Sequence, residues 1–306
     1  MNGISIIIPI FNEAENLPTL LGAIESQTLQ PNEVILVDSG SSDNTDQIIA
    51  QHQDLNNNFS VRHIKNHRGM PGGNRNKGIL ESNYDWIAFI DAGIIPSNRW
   101  LEVLMECATQ NNSKAIFGNC LFTGTTEFSH AVCAVSYGCT SHPVIPASIF
   151  HKDVFKRIGG FPEQLRAAED TIWLKSFDSQ FSPRITTRIH VATYNSFPKT
   201  ISELIRKYLI YEKSLISVDL GKEKAMILTS CFFILLITAA LYLHLAIMLL
   251  LAYLVMRGVL DPVRRSRSLF WWYKFPASVF LAPICAVFID VTILFARNLS
   301  RLNNKT

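Results

Sequence analysis

Through the first third of the chain, short apolar runs alternate with amphipathic ones. Residues 4–10, 33–38, 61–65 and 86–91 read as strands, and the segments between them carry helical spacing. Such alternation predicts an α/β domain built on a mainly parallel sheet. Asn12, Asp43 and Ser97 stand where helix caps are expected, just after strands or turns. Ligands of open α/β sheets bind at the carboxyl ends of parallel strands. Residues 11–13, 38–43 and 91–93 all fall at such ends, so three separated segments converge on one edge.

Beyond Lys114 the pattern loosens, and residues 120–146 read as loops with one strand. Order resumes at 148–155, ahead of a Gly159-Gly160 turn. A late strand is expected at 185–191, then an amphipathic helix at 201–213 whose Arg206, Lys207 and Lys213 face lipid headgroups. Residues 225–256 then form an apolar run without a formal charge. That run exceeds the ~20 residues needed to span a bilayer once. The alternative is a buried helical hairpin in a soluble protein. Residues 276–296 are apolar apart from Asp290, a weaker candidate span. Basic residues precede the long run (Arg206, Lys207, Lys213, Lys222, Lys224) and follow it (Arg257, Arg264, Arg265, Arg267, Lys274). A hairpin turning near Tyr242-Leu243-His244 keeps both groups on one side and obeys the positive-inside rule, with Trp271-Trp272-Tyr273 at the interface; a single tilted span exports the second group.

Charge and cysteines change little. The formal net charge of the 306-residue chain is +3, and its basic residues gather near the apolar segments. That points to membrane lipids of anionic headgroup and away from nucleic acid. The six cysteines form no CxxC pair and no zinc-ligand spacing, so they read as reduced thiols. Residues 4–10 already read as a buried strand without a basic leader, so the amino-terminal domain is expected in the cytosol.

Four motifs carry chemistry. Asp38-Ser39-Gly40-Ser41-Ser42-Asp43 follows a strand, and its small residues let backbone approach a nucleotide. Arg68-Gly69-Met70-Pro71-Gly72-Gly73-Asn74-Arg75-Asn76-Lys77-Gly78 is not a Walker A loop, but a guanidinium at a helix start suits a diphosphate. Asp91 ends a strand. Glu169-Asp170 follows Gly159-Gly160-Phe161-Pro162 and starts a helix, where a carboxylate either takes a proton from an acceptor hydroxyl or simply complements the helix dipole. Trp173 reads as a core aromatic, with stacking on a sugar as the alternative.

Together with Pro9-Ile10-Phe11-Asn12-Glu13, these motifs resemble the family 2 glycosyltransferases over residues 4–190. The resemblance implies a GT-A, Rossmann-like catalytic domain at 1–200, followed by an amphipathic juxtamembrane helix at 201–224 and a membrane region at 225–306. The last comprises a hairpin at 225–256, a basic loop at 257–275 and a third hydrophobic segment at 276–296. By the same resemblance Pro9, Phe11, Glu13 and Asp38 line the nucleobase pocket, and Arg75 and Asn76 lie beneath the nucleotide. Asp91 matches the first Asp of an Asp-x-Asp element that holds Mg²⁺ or Mn²⁺ against the diphosphate. Gly93 stands where the second Asp is expected, which leaves the cation one carboxylate short. His190 matches a late histidine of the metal site. Asp170 is the expected general base and Glu169 its orienting neighbour, in a single displacement with inversion. Processive members carry Gln-x-x-Arg-Trp after the base, and no such string occurs here, which favours one transfer per encounter. The implied reaction moves a sugar from a nucleotide diphosphate donor to a lipid or lipid-linked acceptor at a multi-pass cell-membrane protein. The competing reading is a catalytically silent donor-binding or scaffold subunit.

Overall fold

The computed structural model describes residues 3–55 and 58–303. From the amino end the elements are β1 (Ile4–Ile10), α1 (Leu17–Glu25), β2 (Glu33–Asp38), α2 (Thr45–Leu55), β3 (Ser60–Lys65), α3 (Pro71–Glu81), β4 (Trp86–Phe89), β5 (Ile94–Pro96) and α4 (Trp100–Gln110). Then come β6 (Ala115–Phe122), α5 (Glu127–Ser136), β7 (Ser141–His151), α6 (Lys152–Ile158), α7 (Glu169–Asp178) and β8 (Ile185–Tyr194). The remainder is helical: α8 (Ile201–Ser217), α9 (Lys222–Leu241), α10 (Leu243–Val255), α11 (Asp261–Ser266) and α12 (Ser278–Asn303).

The chain divides into two compact units, the first made of the residues up to Leu121 with Ser141–Tyr194. Its eight strands form one sheet in the order β3-β2-β1-β4-β7-β6-β8-β5. β1, β2, β3 and β4 pair in parallel, as the alternation predicts. The other half is antiparallel: β7 runs against β4 and β6, and β8 against β5. Both faces of the central strands are covered, so β1 and β2 are almost wholly buried, the reason they read as continuous apolar runs. Ile7, Ile35, Phe89, Phe117, Phe150 and Trp173 belong to the core beneath them.

Residues 120–146 are more ordered than the sequence suggests. α5 occupies their middle, with the hydroxyls of Thr126 and Ser129 closing a reciprocal cap at its start. Its residues are buried nearly all round, which erases the amphipathic period that marks a helix. β7 was hidden for another reason, since Pro143 and Pro146 argue against a strand in sequence. Helix α4 starts at Trp100, and Ser97 contributes only its carbonyl, to the Trp100 N–H, not a side-chain cap.

The second unit holds Phe122–Thr140 and the chain from Asn195 onward. Among its described residues, three helical stretches are long and apolar enough to cross a membrane: Lys222–Leu241, Leu243–Ser266 and Ser278–Ser300, with mean hydropathies of 2.1, 2.1 and 2.5. The run 225–256 is not one continuous helix. It breaks at Tyr242 (φ −144°, ψ 84°), and α9 and α10 pack on each other. A π turn at Met256–Leu260 leads into α11, and a Cβ on its Gly258 would lie 2.3 Å from Pro283 Cγ of α12, so glycine is what lets these helices approach. Asp290, the one acid of the third apolar stretch, accepts from Arg257 Nε (2.7 Å), Arg257 Nη2 (3.0 Å) and the Tyr253 hydroxyl (2.9 Å). A bidentate guanidinium thus offsets the cost of a carboxylate in an apolar segment. Trp271 does not join an exposed aromatic belt. It is 7% exposed, stacks on the His130 ring at 5.9 Å, and its carbonyl lies 2.8 Å from His130 Nε2, leaving Leu269, Phe270 and Tyr273 as the exposed apolar residues of that loop.

Candidate active site

Strand ends of the parallel half build one side of the site. Ile10 pairs with Asp38 across β1 and β2, so the turns after both strands lie side by side. Asn12 takes a left-handed backbone (φ 55°), accepts from the Ser42 N–H at 2.8 Å and donates its own N–H to Ser41 Oγ at 2.9 Å. Glu13 N–H donates to Thr45 Oγ1 at 3.0 Å, which closes the clamp. Glu13 is half-buried. Burial raises its pKa, against the lowering hydrogen bond from Asn16. Pro9 is half-buried within β1, and Phe11 stands out at 43% exposure.

Asp38 is buried and internally satisfied. Its Oδ1 accepts from Gly40 N–H (3.1 Å), Ser41 N–H (2.9 Å) and Ser41 Oγ (2.7 Å), and its Oδ2 from Lys65 Nζ (2.9 Å). Burial alone would raise its pKa, but Lys65 and Ser41 hold it down at about 2. The carboxylate therefore shapes the turn after β2. Asp38, Asp46 and His63 offer three ligand atoms within 4.8 Å of one another, yet the Lys65 ammonium already bonds to both carboxylates there.

The other side is carried by α3 and the loop before α7. A Cβ at Gly72 would stand 2.2 Å from the Pro162 carbonyl oxygen, and one at Gly160 2.4 Å from Asn76 Oδ1. Only glycine lets the two segments touch. Asn76 then bonds Phe161 twice, accepting from its N–H and donating to its carbonyl, each at 2.8 Å. Phe161 stacks on Trp173 with centroids 4.9 Å apart, and Trp173 Nε1–H donates to the Gly159 carbonyl. Trp173 is thus a buried pin for the Gly-Gly-Phe-Pro loop. Asn76, expected beneath the nucleotide, holds this same loop.

Arg75 is the hub. It is 2% exposed, and it joins three carboxylates from distant parts of the chain: Nη1 to Glu169 Oε1 (2.8 Å) and Asp170 Oδ1 (3.2 Å), Nη2 to Asp91 Oδ1 (2.9 Å). Its guanidinium, expected beneath a diphosphate, is committed to these acids. Ala168 precedes them in a left-handed conformation (φ 73°), which sets Glu169 and Asp170 into the first turn of α7. Burial, with Glu169 and Asp91 adding and Arg75 opposing, pushes Asp170 up to about 7. Its side chain remains 33% exposed, so an incoming hydroxyl can reach it.

Asp91 is 42% exposed, and among the described residues only its Oδ1 is bonded to a side chain. One open carboxylate fits a hard cation whose remaining ligands are substrate phosphates and water. His190 does not join it. The β5–β8 register pairs Ile94, three residues after Asp91, with Tyr194, and His190 lies four residues before Tyr194, about 13 Å from it along β8 at a strand's rise and past the end of β5. Antiparallel pairing here runs the histidine away from the strand-end edge, a direction the spacing alone does not reveal.

A mixed α/β sheet with Asp38 and Asp91 at its strand ends, and a helix-borne carboxylate pair joined to Asp91 through Arg75, has a GT-A-like architecture. Residues 5–131 match the family model described as glycosyl transferase family 2. Among curated relatives, glycosyltransferase AglE of Haloferax volcanii is 30% identical over 183 residues, covering 56% of this chain and 60% of AglE. The GalNAc(5)-diNAcBac-PP-undecaprenol β-1,3-glucosyltransferase of Campylobacter jejuni is 28% identical over 121 residues, 40% of this chain and 39% of that enzyme. The chain thus matches 60% or less of the length of these relatives. Of solved structures, the mannosyltransferase PcManGT of Pyrobaculum calidifontis, in complex with GDP-Man and Mn²⁺, superposes with a TM-score of 0.56 at 16% identity, over 96% of this chain and 88% of that one. That likeness concerns the fold.

Proposed function

We propose that the protein is an inverting, non-processive glycosyltransferase that moves a sugar from a nucleotide diphosphate donor to a lipid or lipid-linked acceptor. The observation that carries this reading is the Arg75 hub, which binds the strand-end Asp91 and the helix-borne Glu169 and Asp170 into one cluster. The Asp170 carboxylate takes the proton of the acceptor hydroxyl as that oxygen attacks the anomeric carbon; the bond to the diphosphate breaks, and the nucleoside diphosphate leaves from the opposite face. Glu169, buried against Arg75, orients the guanidinium. Pro9, Phe11, Glu13 and the Asp38 turn form the floor for the nucleobase. A Mg²⁺ or Mn²⁺ ion held by Asp91 would neutralise charge on the departing diphosphate. Screening the purified protein for release of UDP or GDP from a panel of nucleotide sugars with a membrane lipid extract tests the activity. Binding without release would favour the silent-subunit reading, for which Gly93 in place of a second metal carboxylate is the motive.

The pH profile is a second test. A base raised to about 7 acts only after losing its proton, so kcat/KM is expected to climb about tenfold between pH 6 and pH 8 and level off above. A profile flat from pH 5 to 9 would exclude a titrating base of this kind.

The acceptor and location rest on the apolar helices. We place the catalytic domain in the cytosol and the chain in the cell membrane as a multi-pass protein, with α9 and α10 as a hairpin that keeps Arg264, Arg265, Arg267 and Lys274 on the cytosolic side. The exposed Ser268 marks that loop. In a background free of native cysteines, Ser268→Cys is expected to resist an impermeant thiol reagent added outside intact cells and to react after permeabilisation. Labelling from outside would mean that the second basic group is exported.

A further inference from the structure

Arg166 is a cation that this site has not yet used. It sits on the loop between two buried anchors, Phe161 and Leu165, and the left-handed Ala168. From there its guanidinium carbon reaches across to 5.9 Å from the centroid of the exposed Phe11 ring at the end of β1. No carboxylate lies within ion-pair distance of it among the described residues. Of the other cations at this edge, Arg75 is committed to Asp91, Glu169 and Asp170 and Lys65 to Asp38 and Asp46, while Arg68, whose N–H bonds the Ser39 carbonyl, stands at the Asp38 end.

The sheet order gives that position its meaning. β2, β1 and β4 are neighbours, with β1 in the middle. Asp38 ends β2 and Asp91 follows β4, so the nucleobase end and the diphosphate end of a donor are two strand spacings apart, about 10 Å. A donor that spans them must cross the end of β1, where Phe11 lies beneath Arg166. The crossing is otherwise acidic: Glu13 lies within electrostatic reach of Asp43 and Asp91, and Asp170 within reach of Asp91. A dianionic linker there needs a positive partner, and Gly93 removes one of the two carboxylates with which a divalent cation would be anchored.

On the reading that the donor is a nucleotide diphosphate sugar, we infer that Arg166 closes over the donor and binds its diphosphate, supplying the positive charge that Arg75 cannot. Guanidinium suits this task because it forms paired hydrogen bonds to phosphate oxygens while its flat face rests on an aromatic ring. Bond formation to the phosphates leaves every covalent bond in place, so Arg166 acts through binding and through stabilising the leaving group.

Calorimetric titration of the full-length protein in detergent with UDP, GDP, uridine and guanosine tests the inference. Arg166→Gln is expected to weaken the better-bound diphosphate by about 10- to 100-fold while changing the matching nucleoside less than twofold. Arg166→Lys, which keeps the charge without the fork, should recover part of that loss. Because Arg166 is exposed, an unchanged thermal unfolding midpoint is expected for both variants, and it certifies the fold. Equal losses for diphosphate and nucleoside would assign Arg166 to the base or to loop structure and overturn the inference, as would unchanged diphosphate affinity. A wild-type protein that binds neither diphosphate would overturn the donor reading itself, which separates the two failures.

Discussion

Asp170→Asn is expected to lower turnover by about 10² to 10⁴ while leaving donor affinity nearly unchanged. The amide keeps the size of the side chain, and its oxygen still accepts from Arg75 Nη1, so the cluster stays assembled. What is lost is the capacity to take a proton. Asp170 suits that role because it combines a pKa near neutrality with an exposed edge, whereas its neighbour Glu169 is buried against the same guanidinium. Glu169→Gln should therefore act mainly by loosening Arg75 and cost less turnover than the Asp170 change. Single-turnover transfer assays with saturating donor read the difference. An Asp170→Asn protein working at near wild-type rate would remove this residue from the mechanism.

Arg75→Met is expected to cost about 3–5 kcal/mol of stability, because it leaves three carboxylates from two segments close together with no cation among them. Methionine fills most of the volume, so the loss reports charge and not a cavity. The pH dependence gives the signature. Without Arg75 the clustered acids have folded-state pKa values above their unfolded ones, so the native state binds more protons and its stability falls as pH rises from about 4 toward 8. The variant should therefore lie closest to wild type near pH 5 and furthest at pH 8. Arg75→Lys should fall between, since one ammonium cannot fork to three acids. Thermal unfolding at several pH values checks this, and an Arg75→Met protein that melts with wild type throughout would show that the cluster does not hold the domain together.

Patterning along the chain determined the first four strands, the helices between them, the apolar carboxy-terminal segments and the identity of the acids at the strand ends. These are legible because they depend on local periodicity: a strand buried on both faces needs a continuous apolar run, and a membrane span needs length without charge. The family resemblance added expected roles, Asp91 as a metal ligand and Asp170 as the base with Glu169 beside it. Tertiary structure alone decided how the partners meet. Arg75 meets three carboxylates and Asn76 the Phe161 backbone because Gly72 and Gly160 let α3 touch a loop more than eighty residues away in sequence. Trp173 became a pin for that loop, Trp271 a buried neighbour of His130, and Asp290 a satisfied partner of Arg257. α5 stayed hidden because burial on all sides leaves no period to read, and the antiparallel register of β8 carried His190 away from Asp91. Each of these depends on contacts between segments distant in sequence, where a side chain's partner is set by strand order and close approach of backbones, and no local pattern encodes either.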